Sequence, residues 1–286
     1  MQKAEILKNL IDMSHTIGAE ISFVQGGGGN TSAKIDGNFM AIKSSGVSLR
    51  DMSFEKGISI VDYKKVNSYH NSLDTSESQY SEDINSFAID GSGRPSIETG
   101  FHALLGKYVI HSHSVFMNVL LCSEEGKELI SKYFPDSIWI DYCTPGKDLT
   151  KAIQHAINCK DKNFEGLIFL ESHGMISSAS TSKKCIDLHI RSNEYIKSEL
   201  NLSSFKVHEN LDFSEPKYFL FPDQAIYMSK EQIRKKTRAC LETTSTVKYL
   251  ESNIKKLGFT QKKLLSADVK IITNMESEKY RKKISI

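Results

Sequence analysis

Three histidines at the ends of short apolar runs are the residues of this chain best suited to chemistry. His111 and His113 close the run Tyr108-Val109-Ile110 and stand two positions apart. On a strand, residues i and i+2 point to the same side, so the two imidazoles project together, a spacing that suits one metal ion. His173, in Glu171-Ser172-His173-Gly174, follows a second apolar run at 167–170. If the two strands lie near each other, three neutral imidazoles can hold one divalent metal at about 2.0–2.1 Å and leave a coordination position open for catalysis. Taken singly, each histidine reads as a hydrogen-bonded core residue; the combination is what points to a metal.

An acid stands upstream. Glu98, in Arg94-Pro95-Ser96-Ile97-Glu98, precedes His111 by 13 residues, room for one short helix to run back to the strand. A carboxylate placed over a metal-bound substrate can exchange a proton with carbon or oxygen, and burial is expected to raise its pKa. Its structural alternative is an acid at a helix start, favoured by the macrodipole. The third feature is Gly26-Gly27-Gly28-Gly29-Asn30. Gly27, Gly29 and Ser32 loosely echo a dinucleotide fingerprint, but such a loop must open a helix, whereas this one opens a strand and hairpin. Backbone N–H groups in a glycine turn can still cradle a phosphate, helped by the Asn30 amide and the Ser44-Ser45-Gly46 turn. A purely structural glycine turn fits this loop equally well in isolation.

The elements that must position these residues follow from periodicity. Residues 3–18 carry Ile6, Leu7, Leu10, Ile11, Met13 and Ile17 near a 3.6-residue period, which predicts an amphipathic helix ending at Gly18. A short strand is expected at 21–24, then a hairpin of strands 31–35 and 39–43 joined by Asp36-Gly37-Asn38. The polar stretch 67–94 reads as a long exposed loop with one strand near 86–89. Helix is expected at 96–106, 115–122, 124–133 and 149–159, and strand at 107–113, 138–142 and 167–170. After His173 the chain is expected to turn helical, at 183–200 and again through the last sixty or so residues. Strands alternating with helices give an α/β architecture.

Composition limits the function classes. With 286 residues, 39% hydrophobic and 25% charged, the chain is an ordinary globular one, neither disordered nor fibrous. Thirty-seven Lys plus Arg against 35 Asp plus Glu leave a formal charge of +2, too little to attract a phosphate backbone, so no nucleic-acid partner is expected. No apolar stretch approaches the roughly 18–20 residues of a membrane helix, and the opening residues lack the apolar segment of a signal peptide. A cytoplasmic location is the expectation. The five cysteines are odd in number and form no CxxC pair, which argues against a disulfide framework.

Taken in order, GGGGNTS at 26–32, KSSG at 43–46, RPSIE at 94–98 with His102, HSH at 111–113 and SHG at 172–174 resemble the class II aldolase/adducin family, over roughly residues 20–200. Within it, the sequence is most similar to the aldolase half of two-domain rhamnulose-phosphate aldolase/lactaldehyde dehydrogenase proteins. PDQAIY at 222–227 and MESEKYR at 275–281 extend that similarity, and no dehydrogenase half follows within these residues.

The resemblance implies a central, mainly antiparallel β-sheet sandwiched by helices, a three-layer αβα arrangement. Residues 1–225 would form the catalytic domain and 226–286 a helical extension packed on it. It further implies a homotetramer with active sites between subunits, and Zn2+ (or Mn2+ or Co2+) held by His111, His113 and His173 with Glu98 as acid/base. The phosphate of a sugar-phosphate substrate would lie against Gly29, Asn30, Ser45, Gly46 and Ser96. Ile97 departs from the second serine that fuculose-phosphate aldolases carry there. Those aldolases also use a tyrosine from a neighbouring subunit, for which Tyr133 and Tyr142 are candidates. The implied reaction is aldol cleavage through an enediolate whose charge a divalent cation offsets. Epimerisation, decarboxylation or dehydration by the same metal-enolate step is the alternative, as is a non-catalytic adducin-like module, although such modules lose the metal histidines kept here. Apolar positions between Tyr227 and Leu265 suggest that the tail docks across a subunit boundary, with capping of its own subunit as the competing expectation.

Overall fold

The computed structural model describes residues 3–71, 77–91, 93–158, 164–209, 211, 213–275 and 279. Helix α1 (Lys3–Gly18) buries Ile6, Leu10, Met13 and Ile17 along one stripe, each removal from water contributing about 1.5–3 kcal/mol. The hairpin follows as β1 (Asn30–Lys34) and β2 (Phe39–Lys43), closed by Asp36 Oδ1, which accepts from the backbone N–H groups of Asn38 and Phe39. Next come β3 (Ile58–Asp62), α2 (Tyr63–Asn71), α3 (Glu77–Ser86), β4 (Ala88–Gly91), α4 (Thr99–Leu104) and β5 (Tyr108–Ser112). The middle of the chain forms α5 (Val115–Leu121), α6 (Gly126–Tyr133), β6 (Ile138–Ile140), α7 (Lys147–Asn158), β7 (Gly166–Leu170), β8 (Gly174–Ala179) and α8 (Ser182–Glu199). Four helices complete it: α9 (Pro222–Tyr227), α10 (Lys230–Lys235), α11 (Arg238–Lys256) and α12 (Ser266–Asn274).

The strands make one sheet in the order β4-β3-β2-β1-β5-β8-β7-β6. Every neighbouring pair is antiparallel except β6 and β7. Alternation sends successive side chains to opposite faces. Ala41, Tyr108 and Ile110 pack with α1, while Met40, Ile42 and Val109 pack with helices on the other side. Helices α1, α5 and α8 thus cover one face and α2, α3, α4 and α7 the other, the three-layer αβα arrangement expected.

Three expectations are corrected. Residues 21–24 are not a strand, because the N–H groups of Phe23 and Val24 both bond back to the Glu20 carbonyl and make a turn. The stretch 67–94 is not one long loop but largely α2 and α3, the residues 72–76 and 92 lying outside those described. A few apolar side chains at helical spacing, Val66 on α2 with Tyr80 and Ile84 on α3, bury against Met40, Ile42 and Val61 and suffice to order it. Strand β8, unforeseen, occupies a central place between β5 and β7; its serines, Ser177 and Ser178, masked a fully buried strand.

The C-terminal helices bury part of their apolar positions within the chain itself and leave Leu265 and Ile271 exposed. Val247, Leu250 and Ile254 of α11 join the cluster formed by α5, and Ile272 of α12 packs with Ala225 and Ile226 of α9. Capping of the same subunit accounts for these buried side chains, and the exposed Leu265 and Ile271 leave the expectation of a subunit boundary in place. Most of the 275–281 motif and Cys159 lie outside the described residues; Cys122, Cys143, Cys185 and Cys240 are free thiols. No helix among the described residues is long and apolar enough to cross a membrane.

Candidate metal centre

Strand register sets the site. Asn30, first residue of β1, pairs directly with His111 on β5, so the glycine loop ends beside the histidines. His113 follows the end of β5, and His173 sits in the turn joining β7 to β8, next to β5 in the sheet. In that turn Ser172 adopts a left-handed φ of 50°, and a Cβ on Gly174 would lie 2.3 Å from the Ser112 carbonyl oxygen, so glycine is required where the turn crosses β5.

The three imidazoles converge, with ligand nitrogens within 4.8 Å of one another and the residues almost wholly buried. His111 donates its Nδ1–H to the Met175 carbonyl at 3.0 Å, and His113 donates its Nδ1–H to Asp223 Oδ2 at 2.7 Å. These bonds fix the tautomers, so both Nε2 atoms carry lone pairs. The two Nε2 atoms face each other at 3.1 Å. Lone pair against lone pair is repulsive unless a cation or proton lies between, and tetrahedral ligands at 2.0–2.1 Å from a zinc ion are about 3.3 Å apart. The residues therefore fit a divalent metal. Burial pushes His111 down to about 4 and His173 to about 3 against the pull of Glu98, which keeps both imidazoles in the neutral form that ligates metal.

Glu98 completes the cluster. It precedes α4, but its side chain does not cap that helix. Its Oε2 accepts from Asn30 Nδ2 at 2.7 Å and lies 3.6 Å from His111 Nε2, while Oε1 lies 3.5 Å from His173 Nε2 with no hydrogen-bond partner. The helix-start reading thus gives way to a carboxylate turned into the metal cluster. The expected rise in pKa is also corrected. Burial does favour the protonated form, but His111, His173 and His113, to the extent that they carry a proton, and the hydrogen bond from the Asn30 amide act against it, and the net direction is down. Asn30 is itself oriented by His102, whose Nε2–H donates to the amide oxygen and whose Nδ1 meets Ser32 Oγ at 2.7 Å.

Gly29, Asn30, Ser45, Gly46, Ser96, Glu98, His113 and His173 line one cleft, with His111 at its base. Gly29 (φ 71°) and Gly46 (φ 83°) need the left-handed conformation that glycine tolerates. Six further lining residues were given no role by the sequence reading: Lys43, Pro145, Pro222, Asp223, Ile272 and Met275. Lys43 lay inside the KSSG motif and Asp223 inside PDQAIY, each quoted as likeness without a role. Met275 opened the MESEKYR motif, likewise quoted without a role, and with Ile272 it brings the end of α12 to the cleft; the apolar character of Ile272 announced nothing. Within their own chain Tyr133 and Tyr142 do not line the cleft; the expectation concerned the cleft of a neighbouring subunit. Tyr133 packs at the end of α6 beside Tyr195, and Tyr142 is packed with Ala225 and Ile226, where burial pushes its phenol pKa up.

The family model for the Class II Aldolase and Adducin N-terminal domain matches residues 8–200, and the chain belongs to that family. A curated relative, the "Uncharacterized oxidoreductase YuxG" of Bacillus subtilis (strain 168), is 27% identical over 212 residues, covering 68% of this chain and 30% of that protein. The chain thus spans less than a third of that relative's length. Among solved structures, the N-terminal class II aldolase domain of a conserved protein from Thermoplasma acidophilum superposes with a TM-score of 0.60 at 24% identity, covering 67% of this chain and 92% of that one. YgbL of Klebsiella pneumoniae, described as a putative aldolase/epimerase/decarboxylase, gives a TM-score of 0.53 at 13% identity over 82% of this chain and 99% of its own. At these identities the likeness is one of fold.

Proposed function

We propose that the protein is a zinc-dependent lyase that cleaves or forms a carbon–carbon bond in a phosphorylated sugar, with Mn2+ or Co2+ as substitutes for zinc. The observation that carries it is the convergence of three buried histidines beside one buried carboxylate, Glu98. His111, His113 and His173 would hold the metal, which when bound supplies Lewis-acid stabilisation of the negative charge developing on substrate oxygens. In the condensation direction Glu98, already ionised, accepts the proton from the carbon next to the carbonyl; in cleavage the same carboxyl returns it. Asn30 donates to Glu98 Oε2 and holds it at the mouth of the triad. The substrate phosphate would lie against Gly29, Asn30, Ser45, Gly46 and Ser96, with the buried Lys43 ammonium lining the same cleft. No residue of this chain is assigned as proton donor to the aldehyde oxygen.

Residues 1–225 would then be a catalytic domain and 226–286 a helical extension packed on it, in a homotetramer acting in the cytoplasm. The second reading is epimerisation, decarboxylation or dehydration, favoured by the same ionised Glu98, which can serve any reaction that begins by removing a proton next to a carbonyl. Incubating zinc-loaded protein with a panel of ketose phosphates and following release of dihydroxyacetone phosphate separates the two. Release from a panel member supports the aldolase; an epimer or CO2 without cleavage establishes the second reading in its place.

A further inference from the structure

His113 is held differently from the other two imidazoles. Its Nδ1–H donates to a carboxylate, Asp223 Oδ2, at 2.7 Å, and both residues are 5% exposed. His111 has a neutral carbonyl in the corresponding place, and His173 Nδ1 has no hydrogen-bond partner. Asp223 is the second residue of α9, beyond the residues 8–200 that the family model matches. Pro222 at the start of that helix, with its fixed φ, sets the direction from which the carboxylate enters.

A third element closes on the same bond. A Cβ built on Gly28 would lie 2.7 Å from His113 Nδ1 and 2.8 Å from Asp223 Oδ2, inside contact distance of both partners. Gly28, unlike Gly26 and Gly29, does not have a positive φ. Space, and not backbone conformation, therefore demands glycine there.

Resting on the metal-centre reading above, we propose that Asp223 is a positioning residue for His113, and that Gly28 leaves the room in which the two side chains meet. The carboxylate holds His113 in its Nδ1–H tautomer and fixes the ring plane, so that the Nε2 lone pair points at those of His111 and His173. It also increases the electron density of that nitrogen and places an anion behind a site that takes up a dication. The metal centre is accordingly built from four separated parts of the chain: the glycine loop, the end of β5, the end of β7, and a helix outside the matched region.

The test is zinc affinity of the full chain, measured by competition with a chromophoric chelator, alongside the visible spectrum of the cobalt-loaded protein. Asp223→Asn, close in shape, should weaken zinc binding 10–100-fold, the range for loss of such an outer partner. Gly28→Ala should do the same by separating His113 from Asp223, and Asp223→Glu should recover part of the loss. Gly37→Ala, where a Cβ meets nothing within 4 Å, should leave affinity unchanged. Far-UV circular dichroism and the Tm of the metal-free protein should stay near the parent's. Should Asp223→Ala fail to fold, Asp223→Asn answers the question. A parent chain that binds zinc tightly and an Asp223→Asn chain that binds it within twofold overturn the inference alone. A parent that takes up neither zinc nor cobalt overturns the metal-centre reading and the inference together. A cobalt spectrum showing a changed coordination number in Asp223→Asn makes Asp223 a direct ligand and overturns the positioning role.

Discussion

Replacing Glu98 by Gln keeps its volume and its bond from Asn30, since the amide oxygen accepts in place of Oε2, now 2.7 Å from Asn30 Nδ2. What disappears is the anion 3.5–3.6 Å from two imidazole nitrogens and its capacity to carry a proton. General acid–base groups contribute about 10²–10⁴ in rate, so kcat for cleavage should fall by that factor, about 2.7–5.4 kcal/mol of activation free energy. Because the Glu98 carboxyl is held below the ordinary carboxylate range, the parent's kcat/KM should show no limb near the ordinary carboxylate pKa. Zinc per chain, measured by elemental analysis after dialysis, should survive in Glu98→Gln because three imidazoles remain. His111→Ala should instead lose metal and turnover together. Near-full turnover of Glu98→Gln on every cleaved substrate would refute the proton-shuttle role.

Gly100→Ala should destabilise by about 1–3 kcal/mol in urea denaturation, because its Cβ would stand 2.5 Å from His70 Nε2 and from Thr150 Oγ1 and 2.6 Å from Tyr80 OH. Burial holds His189 at about 3 and His70 at about 4, so in the unfolded chain each takes up a proton near pH 6.5 that the folded chain refuses. Stability should therefore be unaffected above that pH and fall by about 2–3 kcal/mol per imidazole by pH 4; His189→Gln should flatten the profile, and an unchanged slope would count against it. Truncation after Ser229 uncovers the face of α5 that Val247, Leu250 and Ile254 protect. At about 1.5–3 kcal/mol per side chain the loss, about 5–9 kcal/mol, rivals the whole stability of a domain, so light scattering should show aggregate and not a smaller native oligomer.

Periodicity carried much of the secondary structure because α1, the hairpin and the β5 and β7 runs separate apolar from polar positions cleanly. It failed where that contrast is weak. In α2 and α3 the buried stripe is narrow and the remaining residues are polar. In β8 buried serines find partners inside the fold, Ser177 Oγ meeting His189 Nδ1 at 3.1 Å and Ser178 Oγ accepting from the Gly106 N–H, so polarity did not mean exposure. The three clustered histidines and Glu98 were legible because local spacing and strand ends expose them. Asp223 was not, since its partner lies 110 positions away and a lone acid at a helix start has an ordinary electrostatic explanation. The direction of the Glu98 pKa was missed for a related reason: burial can be read from context, but the Asn30 amide and three imidazoles that outweigh it exist only once β1 and β5 pair.

The order in which the cleft is assembled has a consequence for the nascent chain. Synthesis runs from the N-terminus at about 5–20 residues per second, so roughly 3–10 s separate the appearance of His173 from that of Asp223, and α12 arrives later still. Until then the triad exists without the carboxylate behind His113 and without Ile272 and Met275 over the cleft. On the proposed reading, firm metal binding would therefore wait until the chain has been made through Asp223. If the proposed role of Asp223 holds, a chain that stops between His173 and Asp223 would carry all three imidazoles and only part of the metal affinity.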